Sequence, residues 1–143
     1  MNLQALLEGT EPFGFKGSLD RLAGRIPTGA ADAWPVGSRV SCNPPPTDTD
    51  EDWLVFTKDR QFKLALLAAG FTTGEDPDKE SGGSSFNSYR KGDLNIIVSP
   101  NRRFVERFLV ATALATRFNL MDKADRIALF QGVLYGRLED PNA

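Results

Sequence analysis

Residues 35–55 read PVGSRVSCNPPPTDTDEDWLV, and the fold depends on how that stretch is parsed. Gly37 and Ser38 form a small turn whose backbone can come close to a phosphate, because neither side chain is bulky. Pro44, Pro45 and Pro46 have no backbone N–H, so they belong to an extended loop. Asp50 and Asp52 then lead into Trp53, Leu54, Val55 and Phe56, a continuous apolar run that suits a strand covered on both faces. In a strand, residues two apart share a face, with α-carbons about 7 Å apart. Asp50 and Asp52 are therefore placed to bind one or two divalent cations together, since a cation relieves their repulsion. Asp48 with Asp50 is a competing pair, but the apolar run follows directly on Asp52 and anchors the later pair at the mouth of the strand. Read alone, the carboxylates also fit a solvated acidic loop.

Upstream, Trp34, Val36 and Val40 recur at even spacing, which predicts a strand over residues 33–40 that turns near Gly37. Residues 26–31 are turn material, residues 18–22 a short helix capped by Ser18 and ended by Gly24, and residues 1–9 a short helical pattern. Downstream, Thr57 is placed to cap a helix over residues 58–69 with Gly70 at its end. Residues 72–85 are polar and rich in Gly and Ser, a surface loop. Residues 86–90 predict a strand, Lys91 and Gly92 a turn, and residues 94–98 a buried strand. Ser99 and Pro100 mark a helix start, and that helix runs to about Phe118 with Phe104, Phe108, Ala111 and Ala115 as its stripe. Asp122 caps a last helix carrying Ile127, Phe130 and Leu134 and ending at Gly136. The order is that of a mixed α/β (α+β) domain, with a core over about residues 18–99 and C-terminal helices over about 100–136.

The 143 residues fit one domain, and a 41% hydrophobic and 25% charged composition is ordinary for a soluble globular protein. A net charge of −2 predicts no bulk attraction to nucleic acid or anionic membrane, so phosphate binding must come from local clusters. The chain has no histidine, which removes histidine general bases, Ser-His-Asp schemes and His-ligated metals together. Its one cysteine, Cys42, excludes an intrachain disulfide and a Cys-rich zinc site. Catalysis would rest on carboxylates, Lys, Tyr or a hard oxygen-ligated cation such as Mg²⁺. The apolar run at residues 64–69 is too short to span a bilayer, and the N-terminal residues carry no basic leader; a cytoplasmic protein without membrane contact is expected.

A third carboxylate, Asp93, stands at the entrance to the strand at residues 94–98, and Asn95 lies two residues further on the same face. Gly37 and Ser38, a proline-rich gap, the Asp50-Glu51-Asp52 pair on a strand and Asp93 on a later strand resemble the nucleotidyltransferase (DNA polymerase β-like) superfamily signature. The motif part covers roughly residues 33–99, and residues 103–136 are also similar to small nucleotidyltransferase-like proteins of bacteriophages. The resemblance implies a mixed sheet flanked by helices, with a nucleoside triphosphate such as ATP held at Gly37 and Ser38. It implies two Mg²⁺ on Asp50, Asp52 and Asp93, and transfer of a nucleoside monophosphate to an acceptor hydroxyl. That acceptor would be a protein, an RNA end or a small molecule, with a partner protein completing the site.

Arg39 beside the turn, and Arg90 with Lys91 before Asp93, are the better candidates for phosphate contacts. The other basic residues, Lys58, Arg60, Lys63, Arg102, Arg103 and Arg107, read as solvated helix faces. The family pattern has an apolar residue where this chain has Glu51, so Glu51 must find a cation or lie outside the strand. Gly92 in place of a strand hydrophobe leaves Asp93 or the neutral Asn95 to hold the third position. The rival function is a protein of the same fold that has lost catalysis and binds a partner.

Overall fold

The computed structural model describes residues 25–27, 32–47, 49–73 and 86–136. The helical readings of residues 1–9 and 18–22, Asp48 and most of the polar loop at 72–85 lie outside the described residues.

Four strands, β1 (Asp32–Val36), β2 (Glu51–Phe56), β3 (Asn87–Lys91) and β4 (Leu94–Ser99), form one sheet in the order β1-β2-β4-β3. The central pair β2 and β4 runs parallel, while β1 and β3 pair antiparallel at the two edges. Helices α1 (Ser38–Ser41), α2 (Arg60–Ala68), α3 (Arg102–Arg117) and α4 (Lys123–Tyr135) complete the described chain. This is the expected mixed sheet flanked by helices with a C-terminal helical pair.

The apolar run of β2 is divided between two cores by the alternation of strand side chains. Trp53 and Val55 join Ile96, Val98, Tyr89 and, from α2, Phe62 and Leu66 on one face. Leu54 joins Val36, Ile97 and, from α3, Phe104, Val105 and Leu109 on the other. Both faces are covered, which is why the run shows no polar alternation.

The starts of α2 and α3 fall two residues later than the cap residues predict. Thr57 donates its backbone N–H to the Ser99 carbonyl at 3.0 Å, so it still belongs to the sheet. Asp59 caps α2 instead, accepting from the Gln61 N–H at 2.9 Å. Likewise Ser99 pairs with Phe56 in the ladder, and Asn101 caps α3 by accepting from the Phe104 N–H at 3.1 Å. In each case the hydroxyl accepts the cap residue's own N–H, from Asp59 and from Asn101, both at 3.0 Å. A Ser or Thr that ends a strand looks like an N-cap in sequence, and the ladder overrides it. Asp122 does cap α4, accepting from the Ala124 N–H at 2.8 Å.

The strand predicted over residues 33–40 stops at Val36. Gly37, at φ 83°, turns the chain into the single helical turn of α1. Reciprocal bonds hold the loop after α1 on the α3–α4 turn, with Asn43 N donating to Asn119 Oδ1 at 2.9 Å and Asn119 Nδ2 donating to Asn43 O at 3.1 Å. Lys63, expected on a solvated face, is buried and donates to Asn87 Oδ1 at 3.0 Å. Tyr135, at the end of α4, is exposed.

Candidate functional site

The polar residues of the sheet collect where β2 and β4 begin, on the face that α3 covers further along. Register places Val36, Asp52, Asn95 and Arg90 in one row across the four strands. The parallel pairing of β2 with β4 makes Asn95, not Asp93, the direct neighbour of Asp52. Asn95 Nδ2 donates to Asp52 Oδ1 at 2.9 Å, while Asn95 Oδ1 is buried with no hydrogen-bond partner.

Gly37 lies against this carboxylate. A Cβ added to Gly37 would stand 2.2 Å from Asp52 Oδ2, so only glycine permits the approach, and its positive φ makes the same demand. Gly37 and Asp52, fifteen residues apart in sequence across the prolines, therefore meet in space. Burial pushes the Asp52 carboxyl above its ordinary value; the Asn95 hydrogen bond opposes that shift, the Asp50 charge adds to it, and Arg90 and Arg39 oppose it. A half-buried carboxylate beside another carboxylate is an environment that a bound cation stabilises.

The cations already present are arginines. Arg90 Nη1 lies 2.6 Å from Asp50 Oδ2. Arg39 donates through Nη2 to the Thr49 carbonyl and stands 3.7 Å from Asp93 Oδ2. Its Nε and the Thr49 hydroxyl are buried without a hydrogen-bond partner. Asp93 sits in the β3–β4 turn with its side chain 71% exposed, facing Arg39, while its carbonyl accepts from the Glu51 N–H at 2.7 Å. Among the described residues no three acidic side chains are arranged to hold a metal. Asp50 and Asp52 are together; Asp93 is set apart at the outer end.

Glu51 is the first residue of β2 and points to the opposite face from Asp52. It finds its cation in Arg25, at 2.7 Å, and also accepts from Trp53 Nε1 at 2.9 Å. The charge of Glu51 is thus matched by an ion pair with a residue distant in sequence. Lys91, expected near phosphate, instead donates to the Ala69 carbonyl at the end of α2, at 2.8 Å.

Ser38 also lines a cleft of about 240 Å³ with Lys123, Arg126, Ile127 and Phe130 of α4. These four recur at i, i+3, i+4 and i+7, one helical face, so the signal was in the sequence but was divided between an apolar stripe and solvated charge. Arg126 secures that corner, with Nη1 donating to Cys42 Sγ at 3.3 Å and to the Leu120 and Met121 carbonyls. Cys42 is buried. No described helix is long and apolar enough to cross a membrane.

No protein-family model matches the chain, and no curated protein matches it. Among solved structures, the crystal structure of the conserved protein GrpB from Enterococcus faecalis is similar, with 18% identity and a TM-score of 0.50 over 91% of this chain and 93% of that one. At that identity the likeness concerns the fold alone, a mixed sheet flanked by helices with a C-terminal helical pair.

Proposed function

We propose that the chain is an Mg²⁺-dependent nucleotidyltransferase that moves a nucleoside monophosphate from a nucleoside triphosphate to an acceptor hydroxyl. The observation that carries this reading is the packing of Gly37 on Asp52, which joins the Gly37-Ser38 turn to a carboxylate pair. The donor set suits a hard cation: two half-buried carboxylates and a buried amide oxygen that lacks a partner. Asp50 and Asp52 would hold the metal, which when bound neutralises phosphate oxygens and polarises the phosphorus under attack.

The residues divide the remaining work. Gly37 and Ser38 present a turn without bulk to the triphosphate, and Arg39 beside it supplies positive charge. Lys123, which lines the same cleft as Ser38, adds charge there. The acceptor oxygen attacks the α-phosphorus, the bond to the bridging oxygen of the β-phosphoryl breaks, and pyrophosphate leaves. The acceptor's proton passes to Asp93, whose exposed carboxylate at the rim is open to an incoming acceptor.

A second reading has its own observation. The neutral Asn95 fills the strand position beside Asp52, and Asp93 is displaced to the turn. A protein so arranged would hold a nucleotide or a partner protein without transferring anything. Calorimetry with ATP and Mg²⁺, on the wild type and Asp50→Asn, tests the shared step: binding present and then lost is expected. Incubation with α-labelled nucleoside triphosphates and a cell lysate separates the two, since label moving onto an acceptor requires the enzyme. Nucleotide binding without any label transfer would leave the binding protein.

A further inference from the structure

Resting on the metal-dependent reading above, we infer that the site takes a single divalent cation, with Asn95 as a neutral ligand beside Asp52 and Arg90 in place of a second cation at Asp50. Asn95 is 6% exposed, and its amide nitrogen is committed to Asp52 Oδ1 at 2.9 Å. Its oxygen is therefore held beside that carboxylate, buried and unpartnered. A buried acceptor left without a donor is costly, and native structures rarely keep one without a use. A hard cation is a partner that an amide oxygen and an adjacent carboxylate accept together.

The charges in the row point the same way. Asp50 and Asp52 contribute two negative charges, and Arg90 Nη1, 2.6 Å from Asp50 Oδ2, offsets one of them. Asp93 adds no third carboxylate to the pair, being 71% exposed and turned to Arg39. Among the described residues no three acidic side chains are arranged to hold a metal, so a second ion would lack ligands. One ion uses Asp52, Asp50 and the Asn95 oxygen; Arg90 supplies the other positive charge from the β3 edge.

The probe is Mn²⁺ alone, titrated into the full chain without nucleotide and read by electron paramagnetic resonance of the free ion. The wild type is expected to bind one Mn²⁺ per chain. Arg90→Gln, an exposed position that leaves the cores intact, is expected to bind it about three- to tenfold more tightly, because a competing positive charge is gone. Asn95→Leu is expected to weaken binding about tenfold or more, with circular dichroism confirming that the variant is folded; Asn95→Asp restores affinity and admits a second ion. Two ions on the wild type, or an affinity unmoved by Arg90→Gln, would overturn the inference while leaving nucleotidyl transfer intact. One bound ion with no label transfer supports the inference and removes the transfer reading. No bound Mn²⁺ in the wild type or either substituted chain, Arg90→Gln or Asn95→Asp, overturns both.

Discussion

The two faces of the sheet are made from the same strands, yet they do different work. The face under α2 carries Trp53, Val55, Ile96, Val98 and Tyr89, all fully buried, and Leu94 extends it into the first row, between Glu51 and Lys91. The face under α3 is apolar through Leu54 and Ile97 with Trp34 and Phe56 beside them, and one step toward the starts of β2 and β4 the row becomes Val36, Asp52, Asn95 and Arg90. A single-residue alternation therefore separates a closed core from a polar ledge. The rigid face holds the ledge in place, so its residues keep fixed spacings without being packed for stability themselves.

Substitutions sort by face. The largest effect is expected from Trp53→Ala, which removes the biggest fully buried side chain and should cost about 3–5 kcal/mol in urea denaturation. A small loss there would mean that the α2 face is not the stabilising one. Gly37→Ala should cost about 1–3 kcal/mol from its positive φ and the clash with Asp52. It should also abolish nucleotide binding by calorimetry, an effect that Trp53→Val, if folded, should not share. Asn101→Ala removes the cap of α3 and should cost about 1 kcal/mol of thermal stability, with nucleotide binding retained.

The smallest effect is expected to have the opposite sign. Folded Asp52 holds its proton more tightly than the unfolded chain does, because burial raises its carboxyl above the ordinary 3.8. Its contribution to stability is thus full below 3.8 and is lost as pH rises through the folded-state value. In metal-free buffer, Asp52→Asn should then be more stable than wild type at neutral pH, and the gain should vanish in acid. Urea midpoints measured across pH check this, and a gain that persists unchanged in acid would assign it to something other than the carboxylate. Stabilisation on removing a charged group marks that group as kept for chemistry rather than for folding.

Much of the fold was legible because local pattern and tertiary environment agree. The apolar run at Trp53 to Phe56, the buried strand after Leu94, the stripe of α3 and the Asp122 cap all stand where their residue types place them. The misplacements share one cause. Thr57 and Ser99 have the side chains of helix caps, but their backbones are claimed by the sheet, so Asp59 and Asn101 do the capping. Val40 continued an even spacing that Gly37 had already ended. The site was legible as residue types and not as pairings: Asn95 was weighed for the third position, but no local pattern distinguishes it from Asp93.

What the sequence determined by itself is the inventory: a chain without histidine, with one cysteine, a Gly-Ser turn, paired aspartates and an apolar strand behind them. These follow from residue identity and short periodicity, which need no knowledge of distant neighbours. Only the tertiary structure decided who stands beside whom. The register of β2 on β4 sets Asn95 against Asp52 and leaves Asp93 at the rim, and a shift of one residue would have put it on the other face. The approach of Gly37 to Asp52, the pairing of Arg90 with Asp50 and the rescue of Glu51 by Arg25 are contacts across tens of residues. Such contacts are settled by packing and charge in three dimensions.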